Sequence, residues 1–91
     1  MEFEWDVNKA EDNLTKHGVP FEEAATVFED ERRVTYFDEE HSWEEDRFFT
    51  LGRSDRRRVL AVAWTLRDEA YRIISARTAS RAERRTYDEQ D

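Results

Sequence analysis

The stretch R-V-L-A-V-A-W-T-L-R-D-E-A-Y-R-I-I-S-A-R, residues 58–77, decides the fold that we expect. It holds two apolar runs, 58–67 and 71–77, whose aliphatic and aromatic side chains are typical of strands. Only three residues separate the runs, which is the length of a tight hairpin connection. Because each run is apolar on both faces, we expect the two strands to pair at the centre of a sheet.

Three shorter strands are predicted upstream of this hairpin. R-V-T-Y-F, residues 33–37, and R-F-F-T-L-G, residues 47–52, are both rich in β-branched and aromatic residues. The polar stretch 38–46 separates them as a loop, and the turn residues R-S-D-R-R lead into the hairpin. F-E-W, residues 3–5, is short and flanked by acids, which favours an edge strand.

A first helix is predicted between Asp6 and Gly18. The Asp6 carboxylate is a good N-cap, because it accepts hydrogen bonds from free backbone N–H groups. Gly18 is suited to the left-handed residue that ends a helix. Ala10, Leu14 and His17 are spaced i, i+4, i+7, so we expect them on one apolar face.

Two more helices are predicted from their opening residues. Pro20 opens the second, and Ser80 with Glu83 forms a capping-box pattern that opens the last. The second helix has an apolar face at i, i+3, i+4, i+7 spacing, formed by Phe21, Ala24, Ala25 and Phe28. The element order is β-α-α-β-β-β-β-α, and it predicts an α+β fold: one domain over residues 1–91, with an antiparallel sheet, two N-terminal helices and one C-terminal helix.

Composition supports a folded domain and excludes several classes of protein. Charged residues make up 42%, which favours disorder, but the 13% of aromatic residues supply area for a core. The absence of cysteine excludes a disulfide framework and a thiolate metal site, and it suits a reducing cytoplasm. The acidic N-terminus is not a signal peptide, and no apolar run approaches membrane-span length, so we expect a cytoplasmic protein without a membrane partner.

Charge is divided unevenly along the chain. Residues 1–51 carry 5 basic and 16 acidic side chains, a net charge of −11. Residues 52–91 carry 10 arginines and 7 acids, a net charge of +3. The division is compatible with two surfaces, one that meets a polyanion and one that meets a basic protein, and equally with a well-solvated surface.

Seven segments in one order resemble the BrnT family of toxins from bacterial type II toxin–antitoxin pairs. The segments cover nearly the whole chain: F-E-W-D-V-N-K (3–9), N-L-T-K-H-G-V-P-F-E-E-A-A-T-V-F (13–28), H-S-W-E-E-D-R-F (41–48), L-G-R-S (51–54), L-A-V-A-W-T-L-R (60–67), R-I-I-S-A-R-T-A (72–79) and E-R-R-T-Y (83–87). No single segment is specific, but their common order and spacing are.

The resemblance implies a RelE-like fold and a metal-independent ribonuclease that arrests translation. It leaves open whether the RNA substrate is free or is mRNA on the ribosome. It also implies neutralisation by a BrnA-like antitoxin with a ribbon-helix-helix domain, so that operator DNA is contacted only through the antitoxin. No cofactor and no metal site are expected.

Metal-free RNA cleavage requires a base for the 2′-OH, cations for the charge on the phosphorane and an acid for the leaving 5′-oxygen. Arginine suits the second task, because its planar fork binds phosphate oxygens in pairs and stays charged. Arg77 is the first catalytic candidate and Arg72 is another, with structural ion pairs as the alternative for each. Strict alternation places the two on opposite faces of their strand, unless a bulge intervenes.

Further catalytic candidates lie upstream. Arg47 is a second phosphate ligand with Glu45 as a base, or the two form an ion pair on one strand face. His17 is a base or acid, or a cation at a helix C-terminus that packs on the core. His41, with its acidic neighbours, suggests a metal only weakly, and a solvated acidic loop is the favoured interpretation.

RNA-binding candidates lie mostly in the basic half. Arg53 and Arg58 flank a turn and can contact the RNA backbone, pair with an acidic antitoxin segment or simply be solvated. Arg81 and Tyr87 on the last helix are also assigned to RNA binding, with Tyr87 stacking on a base or facing the core. Trp43, in the polar loop, is the tryptophan expected to contact a partner.

Two other functions remain open at this point. The chain can be a non-catalytic binding module that helps an antitoxin sit on its operator, since an acidic surface attracts a basic partner. It can also be a decayed toxin that folds and binds but no longer cleaves.

Overall fold

The hairpin predicted over residues 58–77 lies at the centre of a five-stranded sheet in the computed structural model, which describes residues 1–90. The elements in chain order are β1 (Phe3–Glu4), α1 (Val7–His17), α2 (Phe21–Thr26), β2 (Val34–Phe37), β3 (Arg47–Arg53), β4 (Val59–Arg67), β5 (Ala70–Thr78) and α3 (Arg81–Glu89). Short 3-10 turns follow α2 at Val27–Glu29 and β2 at Glu39–His41. The sheet order is β1-β5-β4-β3-β2, so the predicted α+β class and meander are confirmed.

The first strand departs from the antiparallel sheet that the sequence predicts. β1 is an edge strand as expected, but it runs parallel to β5, with Phe3 opposite Tyr71 and Glu4 opposite Arg72. The other three pairings are antiparallel, so the sheet is mixed. The parallel pairing is possible because α1 and α2 separate β1 from the meander, and a crossover of that kind joins parallel strands.

The first helix begins and ends where its caps predict. The Asp6 carboxylate accepts hydrogen bonds from the backbone N–H groups of Asn8 (2.8 Å) and Lys9 (3.1 Å). Gly18 adopts φ 68°, the left-handed conformation that a side chain would strain. The predicted apolar face is wrong, because Leu14 is 50% exposed and His17 is exposed.

The buried residue of α1 is Asn13, and its amide explains the rotation of the helix. β1 covers only the first part of the outer edge of β5, which leaves the backbone of Ala76 free. The Asn13 side chain donates to the Ala76 carbonyl (2.7 Å) and accepts from the Ala76 N–H (3.0 Å). It also donates to the Val19 carbonyl (2.9 Å). The helix thus turns Asn13 inward, so that its amide hydrogen-bonds the free backbone groups at the edge of β5.

Each face of the sheet has its own apolar cluster. α1 and α2 cover one face, where Phe21, Phe28 and Val19 pack on Leu60, Val62, Trp64 and Ile73. α3 covers part of the other face, where Tyr87 packs on Leu51, Val59 and Ala61. The α3 face is therefore only partly covered, and the remainder is open to solvent.

A bulge in β5 changes which side chains share a face. Ala63 pairs with Ser75 but the next residue, Trp64, pairs with Ile73, so Ile74 is an extra residue. Strict alternation, which separates Arg72 from Arg77, is therefore wrong. The partners of these arginines across the hairpin are Thr65 and Ala61, and both arginines project from the α3 face.

Among the residues that the structure describes, no helix has the length and apolar character needed to cross a bilayer.

Candidate active site

A cleft of about 330 Å³ opens on the α3 face of the sheet, between α3 and the loop that joins β2 to β3. Its floor is apolar and is formed by Phe49, Ala61, Ala63 and Ile74. Its polar side chains come from β3, β5, α3 and the loop, and they are Asp38, His41, Arg47, Ser75, Arg77 and Glu83. The cleft therefore combines two arginines, a histidine and two carboxyl groups, all contributed by different parts of the chain.

Arg77 lies near the end of β5 and is held by the first turn of α3. Its Nη1 donates to Glu83 Oε1 (2.6 Å) and its Nη2 donates to Glu83 Oε2 (2.9 Å). Glu83 Oε1 also accepts from the Ser80 backbone N–H (2.8 Å), which completes the predicted capping box. The hydrogen bonds from Arg77 are the main reason why the pKa of the Glu83 carboxyl falls from 4.5 to about 2, although burial opposes them. The Arg77 guanidinium is thus fixed in direction and remains 47% exposed.

Arg47 enters the cleft from the start of β3 with little compensation for its charge. Its nearest carboxylate oxygen, Glu45 Oε1, lies 3.9 Å from Nε. Nε itself is buried and has no hydrogen-bond partner among the described residues. Its guanidinium therefore retains capacity for a ligand oxygen.

His41 was expected to be a solvated loop residue, but the loop places it at the cleft. His41 Nδ1 lies 2.9 Å from Asp38 Oδ2, and the ring is 60% exposed. The loop is tied to β3 at Arg47, whose carbonyl accepts from the Asp38 N–H (2.8 Å) and whose N–H donates to Ser42 Oγ (2.9 Å). The only sequence feature that points to His41 is the His41-Ser42 pair ahead of β3. Its meaning depends on how the loop closes onto β3, which residue composition does not reveal.

The other catalytic candidates lie outside the cleft. Arg72 projects from the same face as Arg77, but its Nη1 donates to Glu4 Oε2 (3.0 Å) at the sheet edge.

His17 stays at the C-terminal end of α1, beside Asn13. Glu45 lines a neighbouring depression, where its Oε2 lies 3.4 Å from Arg67 Nη2. The cleft therefore brings Arg77 and Arg47 together and leaves these three side chains apart.

Trp43 lies beside the same depression and is 89% exposed, with its ring nitrogen bonded to the Glu40 carbonyl. Its exposure fits the partner contact that the sequence suggests, although no partner is part of this structure. Within residues 1–90, no group of three or more histidine, aspartate or glutamate side chains is placed to hold a metal ion.

The four RNA-binding candidates also lie outside the cleft. Arg58 is gripped by Glu23, to which it donates from Nε (2.8 Å) and Nη2 (2.7 Å). Glu23 is 4% exposed, and the hydrogen bond from Arg58 is the largest cause of its lowered pKa. The Tyr87 ring faces the core, with Arg53 5.8 Å from its centroid. Arg81 is exposed on the first turn of α3.

Chemically, the cleft can bind a phosphodiester and move a proton. Two guanidiniums supply fixed positive charge beside an apolar floor, which strengthens their attraction for an anion. The imidazole supplies a ring nitrogen that can accept or donate a proton.

Comparison with known proteins agrees with the fold. Residues 5–83 match the model of the family described as the ribonuclease toxin BrnT of type II toxin–antitoxin systems. The crystal structure of the ribonuclease toxin BrnT from Brucella abortus is similar, with a TM-score of 0.69 and 25% sequence identity over 89% of this chain and 99% of that chain. No curated protein sequence matches the chain. Because the family model spans most of its length, the chain belongs to the BrnT family of ribonuclease toxins of type II toxin–antitoxin systems.

Proposed function

We propose that this toxin cleaves RNA without a metal ion, and that Arg77 and Arg47 bind the scissile phosphate in the cleft on the α3 face. The observation that carries the proposal is the convergence of these two arginines, which lie 30 residues apart in sequence, on one apolar floor. Membership of a ribonuclease toxin family supplies the class of reaction.

The two arginines differ in the way they would serve the phosphate. Arg77 is pre-oriented by Glu83, so little side-chain freedom remains to be lost when a phosphate oxygen binds it. Arg47 has one carboxylate nearby, Glu45 at 3.9 Å, but its Nε makes no hydrogen bond, so a phosphate oxygen would be its strongest partner. Together they would offset the negative charge that grows on the phosphorane, which is the task a metal ion performs in other nucleases.

The reaction would be an attack of the 2′-oxygen on the adjacent phosphorus, with departure of the 5′-oxygen. The products are a 2′,3′-cyclic phosphate, or its hydrolysis product, and a free 5′-hydroxyl. Such a mechanism uses a nucleophile that the substrate carries, so the protein needs only to position the phosphate, stabilise charge and transfer protons.

The net charge of −8 sets a condition on how RNA is bound. Long-range repulsion opposes RNA binding, most strongly at low salt, and the basic residues of the second half offset it only locally. Binding to mRNA on the ribosome would supply contacts that free RNA lacks. A protein that acts on translation in this way works in the cytoplasm.

The proposed inhibitor is a BrnA-like antitoxin with a ribbon-helix-helix domain. The family description names a type II system, in which the antitoxin is a protein. The acidic first half of the chain offers such a partner electrostatic attraction, and the antitoxin rather than the toxin would hold operator DNA. Co-expression with the antitoxin should restore growth and give a co-purifying complex.

Induction of the chain alone in bacteria tests the proposal. We expect growth arrest with fragmented cellular RNA, and loss of both effects in Arg77→Ala and Arg47→Ala. Arg84→Ala is the matched control, because Arg84 pairs with Asp88 on the exposed side of α3 and lies outside the cleft. Normal growth with intact RNA from folded wild-type protein would favour a decayed toxin. Full toxicity of Arg77→Ala would refute the site.

A further inference from the structure

We infer that His41, held by Asp38, is the general base of the cleft and takes the proton from the 2′-OH of the RNA. The inference rests on the proposed function, since it names the proton acceptor for the phosphate site of Arg77 and Arg47. It does not follow from the sequence, in which the stretch 38–46 is an acidic loop with no regular pattern.

The position of His41 is fixed by hydrogen bonds to the strand that carries Arg47. The Asp38 N–H donates to the Arg47 carbonyl at 2.8 Å, and Ser42 Oγ accepts from the Arg47 N–H at 2.9 Å. Ser42 Oγ also donates to the Asp38 carbonyl (2.5 Å), which closes the loop around His41. The loop therefore delivers the imidazole and the Arg47 guanidinium to the same cleft as a unit.

The Asp38 carboxylate determines which ring nitrogen faces the substrate. A carboxylate only accepts hydrogen bonds, so the 2.9 Å contact to Nδ1 requires the proton on Nδ1. Nε2 then carries the free lone pair that a base needs. This is the arrangement by which a carboxylate orients a catalytic imidazole in other enzymes that transfer protons.

The other proton acceptors of the chain are less suited to this task. The only other histidine, His17, lies beside α1 and outside the cleft. Glu83 lines the cleft, but both of its oxygens are bonded to Arg77, and its pKa of about 2 makes it a weak base. Glu45 lines the neighbouring depression but not the cleft, and its two oxygens lie 3.9 Å from Arg47 and 3.4 Å from Arg67. His41 is the remaining side chain that combines basicity, exposure and a place beside both arginines.

The 2′-OH proton passes to His41 Nε2 as the 2′-oxygen forms its bond to phosphorus. The bond between phosphorus and the 5′-oxygen breaks, and that oxygen takes a proton from solvent water. The imidazolium returns its proton to solvent, so the enzyme ends the turnover unchanged and the reaction consumes no net proton.

Charged groups of both signs face His41 from every surrounding element. They are Asp38, Glu40, Glu44 and Glu45 on the loop, Arg47 on β3, Arg67 on β4, Arg77 on β5 and Glu83 on α3. Among these the Asp38 carboxylate is the one within hydrogen-bond distance of the ring. Any pH dependence measured for cleavage must therefore be assigned by variants, not by the pH value alone.

The test compares cleavage rates of one RNA from about pH 5 to about pH 9, the range in which imidazole titrates. We expect His41→Gln to lower kcat by about 10²- to 10⁴-fold with a smaller change in KM, and to remove the rise in rate with pH. His17→Gln is the matched control and should keep the wild-type profile. Asp38→Asn should lower kcat less than His41→Gln does, and it should alter the profile, because its amide can place the wrong nitrogen toward the substrate.

A second variant separates chemistry from folding. In His41→Ala, added imidazole should restore part of the lost rate, which a merely structural side chain would not allow. Wild-type cleavage that persists unchanged in His41→Gln, with the same pH profile, would overturn the assignment and leave the arginine site standing. Absence of cleavage by wild type at every pH would instead overturn the proposed function and the assignment with it.

Discussion

Glu83 contributes both to the cleft and to the start of α3 through one carboxylate. It accepts from Arg77 with both oxygens and from the Ser80 backbone with one. It therefore fixes the direction of the Arg77 guanidinium while it forms part of a helix cap.

The lowered pKa of Glu83 gives a pH-dependent prediction. Because the folded-state value of about 2 lies below the ordinary 4.5, the carboxylate stabilises the fold fully above about pH 4.5 and loses that contribution as the pH falls toward 2. Arg77 is half exposed, so solvent screens the pair and we expect only about 1–2 kcal/mol.

Urea unfolding of wild type and Glu83→Gln at pH 7 and pH 2.5 checks this. The variant should be less stable at pH 7, and the gap should shrink at the acidic pH. A gap of the same size at both pH values would show that charge on Glu83 is not its cause.

Arg58, unlike Arg77, lies outside the cleft and stabilises the fold through a buried carboxylate. Its partner Glu23 is buried and also accepts from Ser54 Oγ (2.6 Å). Removing the cation leaves a buried carboxylate without its main partner, so Arg58→Met should lower the free energy of unfolding by about 3 kcal/mol. The folded fraction should still cleave RNA.

Arg56→Met is the control for Arg58→Met. Arg56 lies 4.0 Å from the same carboxylate but is mostly exposed, so its loss should change stability by less than about 1 kcal/mol. Thermal or urea denaturation measures both. A stable Arg58→Met protein with weakened RNA binding would instead support the RNA-backbone role that the sequence suggests.

At the scale of elements, Asn13 joins α1 to the free edge of β5. Asn13→Ala would leave the N–H and C=O of Ala76 unpaired in a buried place, and each such group costs about 1–3 kcal/mol. We expect a loss of about 2–4 kcal/mol, measured by urea denaturation. Asn8→Ala, on the exposed first turn of the same helix, should change stability little. Equal effects of the two substitutions would argue that the edge pairing contributes nothing.

The elements also show what sequence can and cannot predict here. The caps at Asp6, Gly18 and Ser80 were readable because each depends on neighbours within a few residues. The β5 bulge and the parallel pairing of β1 were not, since both depend on which distant strands meet. The face of α1 was misjudged for the same reason: an asparagine is buried only because a strand edge needs its amide.

The residues of the candidate site also fall into those that the sequence could predict and those that it could not. Arg77 and Arg47 could be selected from residue type and their place at strand ends, and the structure brings them to one cleft. His41 could not, because its role depends on Asp38 and Ser42 binding the backbone of Arg47. Arg72 and Arg58 have the right chemistry, but each is bound by a carboxylate outside the cleft.

At the scale of the whole molecule, opposite faces of one sheet carry out separate tasks. α1 and α2 bury the larger apolar cluster on one face, which leaves the other free to hold a cleft beside α3. The cleft floor is made of small and apolar side chains, so charges at its rim act with little competition from polar groups beneath them. An acidic chain can therefore present two arginines, Arg47 and Arg77, beside one apolar floor.

We propose that this cleft cleaves RNA without a metal ion. The most direct measurement is the cleavage rate of a structured RNA by purified toxin in excess chelator, for wild type, Arg77→Ala, Arg47→Ala and the control Arg84→Ala. We predict that chelator leaves the wild-type rate unchanged, that Arg84→Ala matches it, and that each cleft variant is slower by about 10²- to 10³-fold. A wild-type rate that chelator abolishes, or cleft variants as fast as wild type, would contradict the account.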